Sequence, residues 1–307
     1  MLLKFAVKDF LDDREFKNVS PQTIANYRNT LNDFHNYCVE KEIVDTSDIT
    51  ASIIKSYLMY CQRKRNNNPT TINTKIRNLK VFFNYLENEL QLFDSKNNPI
   101  GKIVTVKSDV QIEVFTDSHI KQMLNYYRRL KYRDKSFYAY RDTAIIITLL
   151  GTGIRLGELI NLKWNHVDLN NLTITLFGKK REQSSIPMTI KLKKELAEYK
   201  LFLEQSFEDS PAYLFTDKDG QPLTANAIKN IFKRLKTIMS FKDVRLSAHT
   251  FRHTFAHRCL MAGMDIFTLQ KLLRHNDLSM TQKYVAIWGT ALKEQNDKYN
   301  PLNNIEV

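Results

Sequence analysis

Two stretches of this chain, LTITLF and SSIPMTI, alternate apolar and polar residues in the period of a β-strand, and the GKKREQ between them reads as a hairpin tip. Nearly every other periodic stretch steps by three and four residues, the spacing of a helix with one apolar face. A single hairpin is too few strands for a parallel sheet wound with helices on both sides. The fold class expected is therefore mainly α with a small β-sheet (α+β). A length of 307 residues suggests about two domains, each able to bury its own core.

The first domain is expected over residues 1–93 as a small helical bundle. Lys4–Arg14 carries apolar Phe5, Val7, Phe10 and Leu11. Ser20-Pro21 reads as an N-cap with proline at the first helical position. Ile24, Tyr27, Leu31, Phe34 and Cys38 follow at helical steps, to about Lys41. A third helix is expected from about Thr50 to Arg65, and a fourth from near Thr70, with Ile72, Ile76, Leu79, Phe82, Phe83 and Leu86 on its apolar side. Lys75, Arg77 and Lys80 interrupt that pattern. They suit either a DNA backbone or an ordinary solvated face, as do Arg63, Lys64 and Arg65. Over residues 94–114 the period fails and Asn, Pro, Gly and Ser enter, so this stretch reads as a linker.

The second domain is expected over residues 115–290. Thr116-Asp117 caps a helix to Leu130, the basic Lys131, Arg133 and Lys135 suggest a loop, and Tyr138–Leu150 reads as a buried helix. GTGIRLGELINLKW turns through glycines into a short helix, and the hairpin follows. Further helices are expected at about 191–205, 224–239, 248–262, 265–274 and 279–286. The polar segment 291–307 carries Leu292, Tyr299, Leu302 and Ile305. It can pack in cis or dock on a neighbouring subunit.

The formal net charge is +13, with 16 Lys/Arg against 12 Asp/Glu in residues 1–107 and 30 against 21 in residues 108–307. Both parts are basic, which points toward a polyanionic partner. Three widely spaced cysteines with no CxxC pair fit a reduced compartment. The N-terminus is broken by Lys4, Lys8 and Asp9, unlike a signal peptide, and the apolar run Ala144–Leu150 is far too short to span a bilayer. The expected location is the cytoplasm.

The residues able to carry chemistry crowd into Ser247–Tyr284. His249 and Arg252, three apart, share a helical face. His275 precedes Tyr284 by nine residues, across an NDLS turn. A cation, two imidazoles and a phenol suit attack by the phenol on a phosphodiester. Arg155 follows a buried helix, so its charge needs an anionic partner, and Glu158 can orient it as an i, i+3 pair. Lys179 sits at the hairpin tip beside Lys180 and Arg181. A rival reading takes His249, His253 and His257, at i, i+4 and i+8, as a zinc stripe. It lacks a nearby acidic ligand, and His253 and His257 then read as packing or polar-face residues.

Together TGIRLGE, the hairpin GK, HTFRH, LLRH and the later tyrosine closely resemble the tyrosine recombinase (phage integrase) family, in the order Arg…Lys…His-x-x-Arg…His…Tyr. The resemblance implies a core-binding domain over 1–93, a catalytic domain over 115–290, and a C-shaped clamp on duplex DNA. It implies Tyr284 as the nucleophile forming a 3′-phosphotyrosine link, with Arg155 and Arg252 on the non-bridging phosphate oxygens. Lys179 is the implied general acid, His249 the acid/base partner of the tyrosine, and His275 a phosphate ligand. Lys180 and Arg181 would touch backbone phosphates. No nucleotide cofactor is implied, because the phosphotyrosine bond conserves the phosphodiester energy, and no metal, because side chains neutralise the charge.

Two positions depart from the family pattern. Arg274 stands where many members have glycine, and either contacts phosphate or alters the turn. The hairpin lacks the common GKGxK form, which leaves Lys179 and Lys180 both open as the acid. The implied partners are two duplex recombination sites, a homotetramer assembled on them, and accessory directionality proteins. Integration or excision of a mobile element and resolution of DNA dimers are the implied tasks. Topoisomerase-like relaxation and non-catalytic DNA binding are the alternatives.

Overall fold

The computed structural model describes residues 1–107, 112–178 and 183–287, without the side chains of 285–287. The chain divides into two compact units, Met1–Val110 and Gln111–Val307. Among the described residues, no helix is long and apolar enough to cross a membrane.

The first unit holds four helices: α1 (Leu3–Phe16), α2 (Pro21–Val39), α3 (Ala51–Arg63) and α4 (Pro69–Asn88). The starts of α2, α3 and α4 follow from local chemistry. Ser20, Thr50 and Asn68 each accept a backbone N–H from the first turn, at 3.3, 3.4 and 2.8 Å. Pro21 and Pro69 occupy first-turn positions where the missing N–H leaves nothing unpaired. The apolar faces meet in an aromatic core. The Phe10 ring packs edge-on against Tyr27, Phe82 and Tyr85, with centroids 5.3–5.5 Å apart.

Most of the expected linker belongs to this unit. Ile100 and Ile103 are buried in its core. Asn98 donates from Nδ2 to Glu87 at 2.6 Å and accepts the Ile100 N–H at 3.1 Å. Asn73 on α4 pairs with both backbone groups of Val106 at 2.8 Å. Asn, Pro and Gly excluded a helix here, but two isoleucines were enough to anchor an irregular segment.

The second unit holds α5 (Asp117–Asp134), α6 (Phe137–Thr152), α7 (Leu156–Ile160), β1 (Val167–Asp168), β2 (Thr173–Phe177), β3 (Gln183–Pro187), α8 (Ile190–Ser206), α9 (Ala225–Met239), α10 (Ala248–Met261), α11 (Ile266–Leu273) and α12 (Ser279–Ile287). The buried α6 packs against α5, α8 and α10. Its Ile145, Ile146 and Leu149 are fully covered, and Ala144 and Thr148 on its other sides are buried as well. The strands form an antiparallel sheet in the order β1-β2-β3, with Ile174 opposite Ile186. Ile174, Leu176 and Ile186 face the core, so the alternation in the sequence marks the buried face.

Two local expectations change. Lys131 and Arg133 belong to the last turns of α5 rather than to a loop, and Lys135 ends that helix in a left-handed conformation. Lys131 reaches Glu195 and Glu198 on α8, at 3.3 and 3.2 Å. The two-residue β1 was not expected, because so short a strand shows no period.

Candidate active site

The site in the second unit begins where α6 stops. Gly153 takes φ +60°, and a β-carbon there would lie 2.5 Å from the Phe255 ring, so both the turn and the packing require glycine. The chain then buries Ile154 and presents Arg155 at the start of α7. Glu158 accepts the Arg155 backbone N–H at 2.7 Å and its Nη1 at 3.0 Å, which realises the i, i+3 pair read from the sequence. The Arg155 Nη2 donates to the carbonyl of Arg274 at 3.0 Å. Burial alone would raise the Glu158 carboxyl, but the Arg155 N–H and the charges of Arg274 and Arg155 hold it below its usual range.

The helix α10 starts at Ser247, whose Oγ accepts the Thr250 N–H at 3.1 Å. Arg252, one turn in, is 4% exposed. Its Nη1 donates to the Gly153 carbonyl at 2.7 Å and its Nη2 to the Leu273 carbonyl at 2.6 Å. Those bonds use two of five guanidinium N–H groups and leave the others for an anion. Burial and the neighbouring Arg155 lower its pKa to about 10, so it stays charged at neutral pH.

After α11 a tight turn brings in His275. Its backbone N–H donates to the Gln270 carbonyl at 3.1 Å, and the Gln270 side chain returns a bond to the His275 carbonyl at 3.1 Å. The His275 Nδ1 lies 2.8 Å from the hydroxyl of Thr281. Tyr284, one turn into α12, is 4% exposed. Its ring lies nearly parallel to that of His275, at 11° with centroids 6.5 Å apart.

The imidazole set against the Tyr284 hydroxyl is that of His253, with its Nδ1 at 2.8 Å. The family resemblance puts the tyrosine's acid/base partner at His249, whose ring instead packs edge-on against His253 at 4.1 Å. His253 lies one helical turn beyond His249 on the same face, so the spacing that suggested a zinc stripe was the available signal. Among the described residues, no group of three or more His, Cys, Asp or Glu could hold a metal ion.

Burial, then His249 and Arg252, lower the pKa of His253 to about 4. Burial, then Arg252 and Arg155, bring His275 to about 4 as well. Burial also raises the phenol of Tyr284, against the pull of Arg252 and Arg155. At neutral pH the site therefore holds a neutral phenol, neutral imidazoles and cationic guanidiniums.

Arg155, Glu158, Arg252, His275 and Tyr284 thus share one site, and Arg274 lies within it. Within it, the Arg274 Nη2 donates to Glu158 at 2.6 Å. Lys179, Lys180, Arg181 and the tail 291–307 lie outside the described residues. In the first unit, Lys75 is not a free cation on a solvated face. It is 13% exposed and bonds Asp33 at 2.5 Å and the Tyr57 hydroxyl at 3.1 Å, while Asp33 also pairs with Arg65. Arg77 is exposed and Lys80 half-buried.

Similarity to known proteins follows the same division. Residues 113–288 match the profile of the phage integrase family, and residues 7–91 match the phage integrase N-terminal SAM-like domain. The chain is 28% identical to the tyrosine recombinase XerC of Listeria innocua over 298 residues, covering 96% of this chain and 97% of the relative. It is 29% identical to the XerC of Thermodesulfovibrio yellowstonii, covering 98% and 97%. The fold is shared with the Tn1549 transposon integrase solved in complex with transposon right end DNA, at a TM-score of 0.76 and 20% identity, covering 97% of this chain and 99% of that one. The chain belongs to the phage integrase family, the tyrosine recombinases.

Proposed function

We propose that this site-specific DNA recombinase cuts and rejoins duplex DNA with Tyr284 as its nucleophile. The carrying observation is the 2.8 Å approach of a neutral His253 to the Tyr284 hydroxyl, in the site where Arg155 and Arg252 are braced. A phenol with an ordinary pKa of about 10 needs an acceptor for its proton and cations to favour the phenolate as it forms. His253 takes the proton as the Tyr284 oxygen bonds phosphorus and the bond to the 5′-oxygen breaks. Arg155 and Arg252 hold the non-bridging oxygens, where forked donors offset the growing negative charge. His275 adds a hydrogen bond to the phosphate, and Lys179 protonates the departing 5′-oxygen. Reversal by a different 5′-hydroxyl rejoins the strands without a nucleotide or metal.

Duplex DNA is the partner, held in part by the basic excess of both units. Two sites and four subunits per reaction, with accessory proteins that set direction, complete the proposal. Its task is the integration or excision of a mobile element, or the resolution of DNA dimers.

The test uses nicked duplexes enriched from a randomised library by rounds of binding. The wild-type chain should form a covalent adduct that survives denaturation, and Tyr284→Phe should bind the same duplex without forming it. An adduct persisting in Tyr284→Phe would move the nucleophile elsewhere. Relaxation of supercoiled plasmid without two-site recombination would favour a topoisomerase-like role.

A further inference from the structure

The turn between α11 and α12 is closed by an arginine in a conformation that L side chains disfavour. Arg274 takes φ +52°, in the left-handed region where glycine sits without steric penalty. Its guanidinium does what glycine cannot. The Nη2 donates to Glu158 Oε2 at 2.6 Å, across 116 residues of sequence, and the Nη1 donates to the Leu272 carbonyl at 3.0 Å. The same Glu158 oxygen accepts the Arg155 N–H at 2.7 Å, while Glu158 Oε1 accepts the Arg155 Nη1 at 3.0 Å. The Arg155 Nη2 closes the ring on the carbonyl of Arg274 at 3.0 Å. The neighbouring carbonyl, Leu273, takes Arg252 at 2.6 Å. One turn therefore supports both guanidiniums of the site, and the Arg274 side chain ties that turn to the carboxylate that orients Arg155.

We propose that Arg274 is a positioning residue for Arg155: through Glu158 it locks the α11–α12 turn to the start of α7 and holds the Arg155 guanidinium in the orientation that grips phosphate. The inference rests on the reading of Arg155 as a phosphate ligand. It assigns to Arg274 no contact with DNA. Such a brace acts on the chemical step, because a ligand displaced by about 1 Å can cost on the order of 100-fold in rate. It leaves ground-state binding, dominated by many backbone contacts, nearly untouched.

Arg274→Gly separates the guanidinium from the turn, since glycine accepts φ +52° and keeps the fold. On the selected nicked duplex it should slow single-turnover adduct formation by about 10- to 100-fold. Affinity should stay within about threefold, and the log–log salt slope of binding should not change. Arg274→Lys should recover part of the rate, and Arg274→Gly combined with Glu158→Gln should be no slower than the slower single variant. A slope reduced by about 0.9 would make Arg274 a phosphate contact and overturn the proposal. So would a rate within threefold of wild type. A second measurement is independent of cleavage. The guanidinium 15N signals of Arg155, assigned with Arg155→Lys, should show hindered rotation in the wild type and fast averaging in Arg274→Gly. Unchanged rotation overturns the brace, whereas absence of any wild-type adduct overturns the reading of Tyr284 and leaves the brace to this measurement.

Discussion

The Tyr284 hydroxyl lies 2.8 Å from Nδ1 of His253, and the two side chains come from helices 31 residues apart in sequence. The hydroxyl therefore meets an imidazole that is neutral at physiological pH, beside two guanidiniums that favour the phenolate. General-base transfer to a positioned histidine contributes typically 10²–10⁴-fold. His253→Ala should slow adduct formation by roughly that factor, and more than His249→Ala does. The check is single-turnover cleavage of a nicked duplex by both variants side by side. Equal losses would return the role to His249.

The same histidines make folding stability depend on pH. His253 and His275 have folded pKa values lowered to about 4, against about 6.5 when unfolded. Between those values the unfolded chain binds protons that the folded chain does not, so stability falls as pH drops from about 6.5 to 4. With allowance for the partial exposure of His253, the pair should contribute a loss of about 2–4 kcal/mol. Denaturant unfolding across pH 7 to 4 measures it, and His253→Gln with His275→Gln should flatten the slope over that window.

Arg252 is both a ligand and a buried tie. Arg252→Ala would leave the carbonyls of Gly153 and Leu273 without their guanidinium donor, a loss of about 1–3 kcal/mol in stability, and would stop cleavage with binding nearly intact. Arg252→Lys keeps the charge but lacks the fork that reaches both carbonyls. It should cleave at least about 100-fold more slowly than wild type, a loss like that from removing one oxyanion donor. Thermal melts and cleavage rates on the same preparations separate the two effects.

Gly153→Ala should be destabilising by about 1–3 kcal/mol, because its β-carbon would stand 2.5 Å from the Phe255 ring at φ +60°. It would also displace the carbonyl that anchors Arg252. Calorimetry should show the lower melting point, and cleavage should fall by more than the folded fraction does.

In the first unit, Lys75 is paired with Asp33 and Arg77 is exposed. Arg77→Ala should therefore lower the salt slope of DNA binding by about 0.9, and Lys75→Met should change it far less. Asp33→Ala should cost about 1–3 kcal/mol by stranding a half-buried ammonium. Titrations across a salt series decide whether α4 meets phosphate through Arg77.

Much of this protein is local and therefore legible in the chain itself. The caps at Ser20 and Thr116, the helical steps, and the alternation of β2 and β3 act over three or four residues. The bond between Arg155 and Glu158 is of this kind, and the ordered set Arg155, Arg252, His275 and Tyr284 can be read without coordinates. The tertiary structure decided what depends on distant partners. It turned Lys75 inward onto Asp33, folded residues 94–107 back onto the first unit, set His253 against the phenol, and joined Arg274 to Glu158 across 116 residues. Those outcomes lie beyond any periodicity because they follow from which helix faces meet. A buried polar group bonds whatever donor or acceptor the packing brings within about 3 Å.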